Sequence, residues 1–148
     1  MANAVIDIID VTRWLQEIAP SANLSLDSRR ITRGDIFLAC RGESGDGRQH
    51  IQQAIESGAK AIVFEISDEF QWNVEWTIAH FGVPELAKMV GRIAHEWYRK
   101  PDADMFSVAV TGTNGKTSCT QWLGQALSRE GMPTAVIGTL GIAQCRNG

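Results

Sequence analysis

Cysteine supplies neither a disulfide framework nor a metal cage in this chain. Cys40, Cys119 and Cys145 are odd in number and stand at no metal-ligand spacing, so reduced thiols in a cytosolic protein are the expectation. Long apolar runs are missing as well. None approaches the ~20 residues that a membrane-spanning helix requires. The opening Met1–Asp7 has no basic stretch ahead of an apolar one, so no signal peptide is expected. Excess positive charge is absent: a formal charge of −3 leaves no basic footprint, and nucleic acid is not an expected partner. The three histidines, His50, His80 and His95, have no carboxylate or cysteine at metal spacing and read as surface or hydrogen-bonded structural residues. What is present suffices for a packed soluble core, with 44% hydrophobic and 21% charged residues. The 148 residues allow one ordinary domain, or one small domain with part of another.

The most informative segment is Thr111-Gly112-Thr113-Asn114-Gly115-Lys116-Thr117-Ser118. An alternating run, Met105 to Val110, precedes it and predicts a strand; Trp122, Leu123, Ala126 and Leu127 follow at helical spacing. A glycine loop between strand and helix is the context in which phosphate binds. Glycine tolerates positive φ, so successive N–H groups can curl around one anion. The opening of the helix adds unpaired N–H donors and the positive end of its dipole. Lys116 supplies a point charge for β- and γ-phosphates, and the Thr117 hydroxyl is placed to ligate Mg²⁺. The pattern is G-x-x-G-K-T rather than G-x-x-x-x-G-K-S/T, because Val110 stands where the longer form has glycine. A generic kinase or GTPase is thereby disfavoured. The plain alternative is a glycine turn with a surface lysine.

The rest of the chain alternates helix and strand. Asp10 is positioned to cap a helix bearing Val11, Trp14, Leu15 and Ile18, which Pro20 ends. Leu24-Ser25-Leu26 reads as a half-buried strand, Ile36 to Cys40 and Ala61 to Phe64 as buried ones. Arg41 to Gly47 is a glycine-rich loop, and a helix with Ile51, Ala54 and Ile55 on one face stops at Gly58. Residues 65–82 carry no clear pattern beyond Trp72 and Trp76, expected to close over the core. Pro84 suits the first turn of a helix that directs Leu86, Met89, Val90, Ile93 and Trp97 inward. Trp14, Trp97 and Trp122 all read as core. The polar, helix-breaking Lys100 to Asp104 is the expected boundary between two domains, 1–101 and 105–148. Thr134 to Ile137 is a last strand. Two strands and one helix after residue 105 cannot cover a doubly wound sheet, so the second domain is expected to be incomplete.

Read together, Leu26-Asp27-Ser28-Arg29, Gly34-Asp35-Ile36-Phe37, Asp46-Gly47-Arg48, Ala54 with Gly58-Ala59, and the loop Val110 to Thr117 resemble the Mur ligase family. The likeness runs from Leu24 to Gly141. The Gly138-Thr139-Leu140-Gly141 segment and the form of the loop resemble the branch that adds the third residue of the peptidoglycan stem peptide. The implied fold is α/β: a small N-terminal substrate domain, then the first βαβ unit of a P-loop-type, mostly parallel, doubly wound ATP-binding domain. The implied reaction is ATP-dependent amide-bond formation, in which a diamino acid joins UDP-N-acetylmuramoyl-L-alanyl-D-glutamate through an acyl phosphate. The diamino acid would be meso-diaminopimelate or, second, L-lysine, and the residues that select it are not in this sequence.

By the same resemblance, Gly112, Thr113, Asn114, Gly115, Lys116, Thr117 and Ser118 would bind ATP, with Lys116 catalytic and Thr117 on Mg²⁺. Leu26 and Ser28, with Glu43, Ser44 and Gly45, would contact the UDP part of the substrate. The plain alternatives are a core strand residue at Leu26, a turn-forming hydroxyl at Ser28 and a solvated loop at 43–45. Arg29 either bonds the turn or faces a phosphate. Cys119, where relatives commonly have threonine, would pack its helix. The resemblance further implies a cytoplasmic, monomeric enzyme of cell-wall synthesis, serving cell shape and division, with small-molecule partners and no membrane. The remaining Mg²⁺ ligands and the diamino-acid site would lie beyond Gly148, leaving this chain alone without turnover. A stand-alone nucleotide or UDP-sugar binder is the other reading.

Overall fold

The computed structural model describes residues 7–42 and 45–145. They form two compact units that divide after Asp104. In the first, helix α1 (Ile8–Ile18) starts at Asp7, whose carboxylate accepts from the Ile9 N–H at 3.3 Å. The expected cap, Asp10, lies inside the first turn instead, where its charge meets the positive end of the helix. Four strands follow, β1 (Leu24–Ser25), β2 (Ile36–Ala39), β3 (Ala61–Ile66) and β4 (Ala79–Pro84), all parallel in the order β1-β2-β3-β4. Between them lie 3-10 turns at Ser28–Arg30 and Gly47–His50 and helix α2 (Ile51–Glu56); helix α3 (Leu86–Trp97) comes after β4.

A parallel sheet buries both faces, which is why β2 is the unbroken apolar run Ile-Phe-Leu-Ala and all four residues are buried. Ile36 and Leu38 face one way, with Val63 and Val83, against Val11 and Leu15 of α1 and Leu86, Ile93 and Trp97 of α3. Phe37 and Ala39 face the other way, with Ile62, against Ile51 and Ala54 of α2. The link from β3 to β4 contains no helix, so side chains do a helix's work there. Phe70, Trp72, Trp76 and Ile78 pack against this second cluster, as expected for the two tryptophans. Trp72 stacks on His80 at 3.9 Å and meets Trp76 edge-on at 5.0 Å.

Two ties fix the first unit's ends. The Trp97 indole N–H donates to the Ala22 carbonyl at 3.1 Å, and the Leu24 N–H donates to the Tyr98 hydroxyl at 3.0 Å. Asp35 gathers the turn ahead of β2 by accepting from the N–H and side chain of both Asn23 and Thr32. Burial pushes its pKa up, but these donors together outweigh burial and hold it below the usual carboxylate value. Gly58 takes φ +94° just past α2, as its sequence position predicts. Pro84, expected in the first turn of α3, is instead the last residue of β4. Glu85 at φ 48° makes the sharp change of direction into the helix.

The second unit holds the glycine loop, helix α4 (Lys116–Arg129) and an antiparallel hairpin of β5 (Thr134–Gly138) and β6 (Gly141–Cys145). Met105–Val110, expected as a strand, carries no ladder, and the expected βαβ unit does not form among the described residues. A strand persists only with a hydrogen-bonded neighbour, and β5 has its own in β6. Trp122, expected in the core, is 70% exposed, and Cys119 is exposed too. The hairpin lies close against α4 at Gly124, where a Cβ would sit 2.6 Å from the Val136 Cγ2 and 3.0 Å from the Cys145 Sγ. We therefore expect Gly124→Ala to destabilise this unit by about 1–3 kcal/mol. Amide hydrogen exchange in α4 and β5 measures it, and unchanged protection would contradict the close approach. No helix among the described residues is long and apolar enough to cross a membrane.

Candidate functional site

Parallel strands bring their carboxyl ends to one rim, where open α/β sheets bind ligands. At that rim β1 ends at Ser25, and the next residue, Leu26, turns outward with 57% of its surface exposed. The apolar side chain at this strand end is thus open to solvent rather than committed to the core. Asp27 caps the turn that follows, accepting from the Arg29 N–H at 3.0 Å. The Arg29 guanidinium grips the same carboxylate at 2.8–2.9 Å and holds the Asp27 pKa down at about 2. Arg29 thus bonds within its own turn. Ser28 is buried, and its hydroxyl donates to Oε1 of Gln53 on α2 at 2.7 Å.

The loop after β2 is closed twice. Arg41 and Asp46 form an antiparallel bridge, and the Gly42 N–H donates to the Gly45 carbonyl at 2.8 Å. Glycine is required at 47, where a Cβ would lie 2.8 Å from the Cys40 carbonyl oxygen. Glu43 and Ser44 fall outside the described residues, so of that expected trio only Gly45 is placed. Burial pushes the neighbouring Cys40 thiol up to about 11, which leaves it unreactive. Residue reading missed the roles of Arg48 and Gln53. The Asp46-x-Arg48 spacing, which repeats Asp27-x-Arg29, was the available signal for the first.

In the second unit the loop adopts the backbone that its glycines allow. Gly112 has φ +148° and Gly115 φ +75°. Gly115 is the N-cap of α4, and no side chain caps the helix. The leading N–H groups of α4, which have no intrahelical acceptor, are therefore left for an outside anion. Lys116 folds back across the loop, its Nζ donating to the Gly112 carbonyl at 2.5 Å. Thr113, Asn114, Thr117 and Ser118 are all exposed. Among the described residues no group of three or more His, Cys, Asp or Glu could hold a metal ion. Thr117 can give Mg²⁺ one hard oxygen, and a Mg²⁺ bound mainly through phosphates and water needs few more from protein.

The chain also resembles known proteins. The Mur ligase family catalytic domain matches residues 20–98, and the Mur ligase middle domain matches residues 110–147. The chain is 52% identical over 145 residues to the UDP-N-acetylmuramoyl-L-alanyl-D-glutamate--2,6-diaminopimelate ligase of Janthinobacterium sp. (strain Marseille), covering 98% of this chain and 28% of that protein. The ligase of the same name from Chromobacterium violaceum is 44% identical over 128 residues, covering 86% and 26%. The chain thus spans about a quarter of the length of the relatives it matches. Among solved structures, a UDP-N-acetylmuramoyl-L-alanyl-D-glutamate--2,6-diaminopimelate ligase superposes with a TM-score of 0.57 at 27% identity, over 90% of this chain and 29% of that one. MurF ligase from Thermotoga maritima, in complex with ADP, gives 0.54 at 27% identity, over 74% and 24%. With the rim, the uncapped glycine loop and both domain matches in agreement, the chain belongs to the Mur ligase family.

Proposed function

We propose that this sequence supplies the UDP-substrate unit, residues 1–101, and the start of the ATP-binding domain, residues 105–148, of a cytoplasmic amide-bond ligase. The whole enzyme would join a diamino acid, meso-diaminopimelate ahead of L-lysine, to UDP-N-acetylmuramoyl-L-alanyl-D-glutamate in peptidoglycan synthesis. The observation that carries the reading is the uncapped N-terminus of α4 behind Gly112 and Gly115, with Lys116 lying across the loop. A polyphosphate placed there accepts from the loop amides and offers Lys116 a better acceptor than the Gly112 carbonyl. Thr117 would hold Mg²⁺, which when bound neutralises charge on the phosphates.

The reaction divides into two transfers. A substrate carboxylate oxygen attacks the γ-phosphorus, ADP leaves, and an acyl phosphate forms. The incoming amine then attacks the carbonyl carbon, loses a proton and expels phosphate. Two anions meet in the first step, and Lys116 with the loop amides lowers its barrier by stabilising charge on the transferred group. No enzyme nucleophile is needed, and Cys40, the half-buried thiol nearest the rim, is held protonated.

Leu26, Ser28 and Gly45 at the rim, together with Glu43 and Ser44 by family resemblance, would take the uridine portion. Leu26→Asp is expected to weaken binding of uridine diphosphate by about tenfold, since a carboxylate there loses apolar contact and repels an anionic ligand. Calorimetry on this chain tests it, with magnesium-ATP as the control ligand. An unchanged uridine affinity would remove Leu26 from the site.

A further inference from the structure

Asp27-x-Arg29 and Asp46-x-Arg48 build the same turn twice. Each aspartate caps a 3-10 turn by accepting from the N–H two residues on, and each arginine grips that carboxylate with a fork of hydrogen bonds. Their surroundings differ. The Arg29 side chain is 79% exposed and that of Arg48 only 4%. Holding such a turn does not require burying a guanidinium, because Arg29 manages it in water, and burial carries a large desolvation penalty. Arg48 spends that penalty on reach. Its Nη1 donates to the Ser67 hydroxyl at 2.7 Å and the Glu65 carbonyl at 3.1 Å, and its guanidinium lies 4.8 Å above the Phe70 ring. One side chain therefore joins the glycine loop after β2, the end of β3 and the segment that follows β3.

We propose that Arg48 is the positioning residue of the uridine-nucleotide rim, fixing Gly45 through Asp46 and Ser28 through α2. Both routes are continuous in the structure. Asp46 closes the bridge to Arg41 beneath the Gly42–Gly45 hydrogen bond. The turn Gly47–His50 runs directly into α2, whose Gln53 accepts from Ser28. The Glu65 and Ser67 contacts give both routes a common anchor at the end of β3 and the residue just past it. The inference rests on the uridine-nucleotide reading of the rim given above.

Ser67→Ala and Arg48→Lys test it in this chain. The first removes one acceptor from the anchor; the second keeps the charge and loses the planar fork. Affinity for uridine diphosphate should fall about tenfold in Ser67→Ala and further in Arg48→Lys. The Gly45 amide resonance should shift in both, and affinity for magnesium-ATP should stay at the wild-type value. If Arg48→Lys does not fold, Ser67→Ala alone decides. Wild-type uridine affinity with an unmoved Gly45 signal in Ser67→Ala overturns the positioning role. So does parallel loss of both ligands, which would mark a general loss of structure. A wild-type chain that takes up magnesium-ATP but no uridine diphosphate defeats the reading of the rim itself, and this inference with it.

Discussion

Lys116→Ala is expected to weaken magnesium-ATP binding by this chain about a hundredfold while leaving uridine diphosphate affinity within about twofold. The free loop explains the size of the effect. Its ammonium already sits over the anion cradle, held by the Gly112 carbonyl at 2.5 Å, so a phosphate oxygen can replace that carbonyl without moving the lysine far. A hydrogen bond between two charged partners contributes about 1.5–3 kcal/mol, the upper end of which corresponds to the hundredfold expected here. The proposed uridine rim belongs to the other compact unit and shares no residue with the loop, so its affinity should not follow. In the complete enzyme the same change should stop acyl-phosphate formation. Calorimetry with each ligand measures the split. Equal loss of both affinities, or wild-type affinity for ATP, would refute the assignment of Lys116.

The largest loss of stability is expected from Phe37→Ala. Phe37 is completely buried between β2 and α2, among Ile51, Ala54 and Ile62, and truncating such a ring costs about 3–5 kcal/mol in lost burial and residual cavity. A small domain is stable by only about 5–15 kcal/mol in total, so the unit should lose at least about a fifth of its margin. Trp72 and Trp76 pack on the same cluster, which makes their emission a reporter during urea unfolding. The midpoint should fall without a change in slope. Ile9→Ala, at a helix position 55% exposed, should move it by no more than about 0.5 kcal/mol. Equal midpoints for the two variants would show that the second cluster is not a core.

Patterns set by neighbours in the chain were legible. Val11, Leu15, Leu86, Ile93 and Trp97 repeat at helical spacing and do face one core, and Ile36 to Ala39 reads as a strand buried on both sides. Gly58, Gly112 and Gly115 sit where positive φ was expected. Features that depend on distant partners were not. Strand β4 was hidden because Gly82 and Pro84 both argue against a strand; Gly82 is there because a Cβ would lie 2.8 Å from the Ile66 side chain. Helical spacing around Trp122 identifies an apolar face but cannot say whether anything covers it. Among the rim residues, Leu26 was named from a family resemblance, whereas Arg48 acts through contacts 17 and 19 residues away that no local pattern encodes.

Because all four strands of the first unit run the same way, the residues proposed to meet ligand hang from one end of the sheet and those that hold the sheet together lie against its faces. Specificity and scaffold are therefore separable under selection. A lineage can rewrite Leu26 or Gly45 without disturbing Phe37 or Val63, and neighbours sharing only 26–27% of their residues can still superpose over most of this chain.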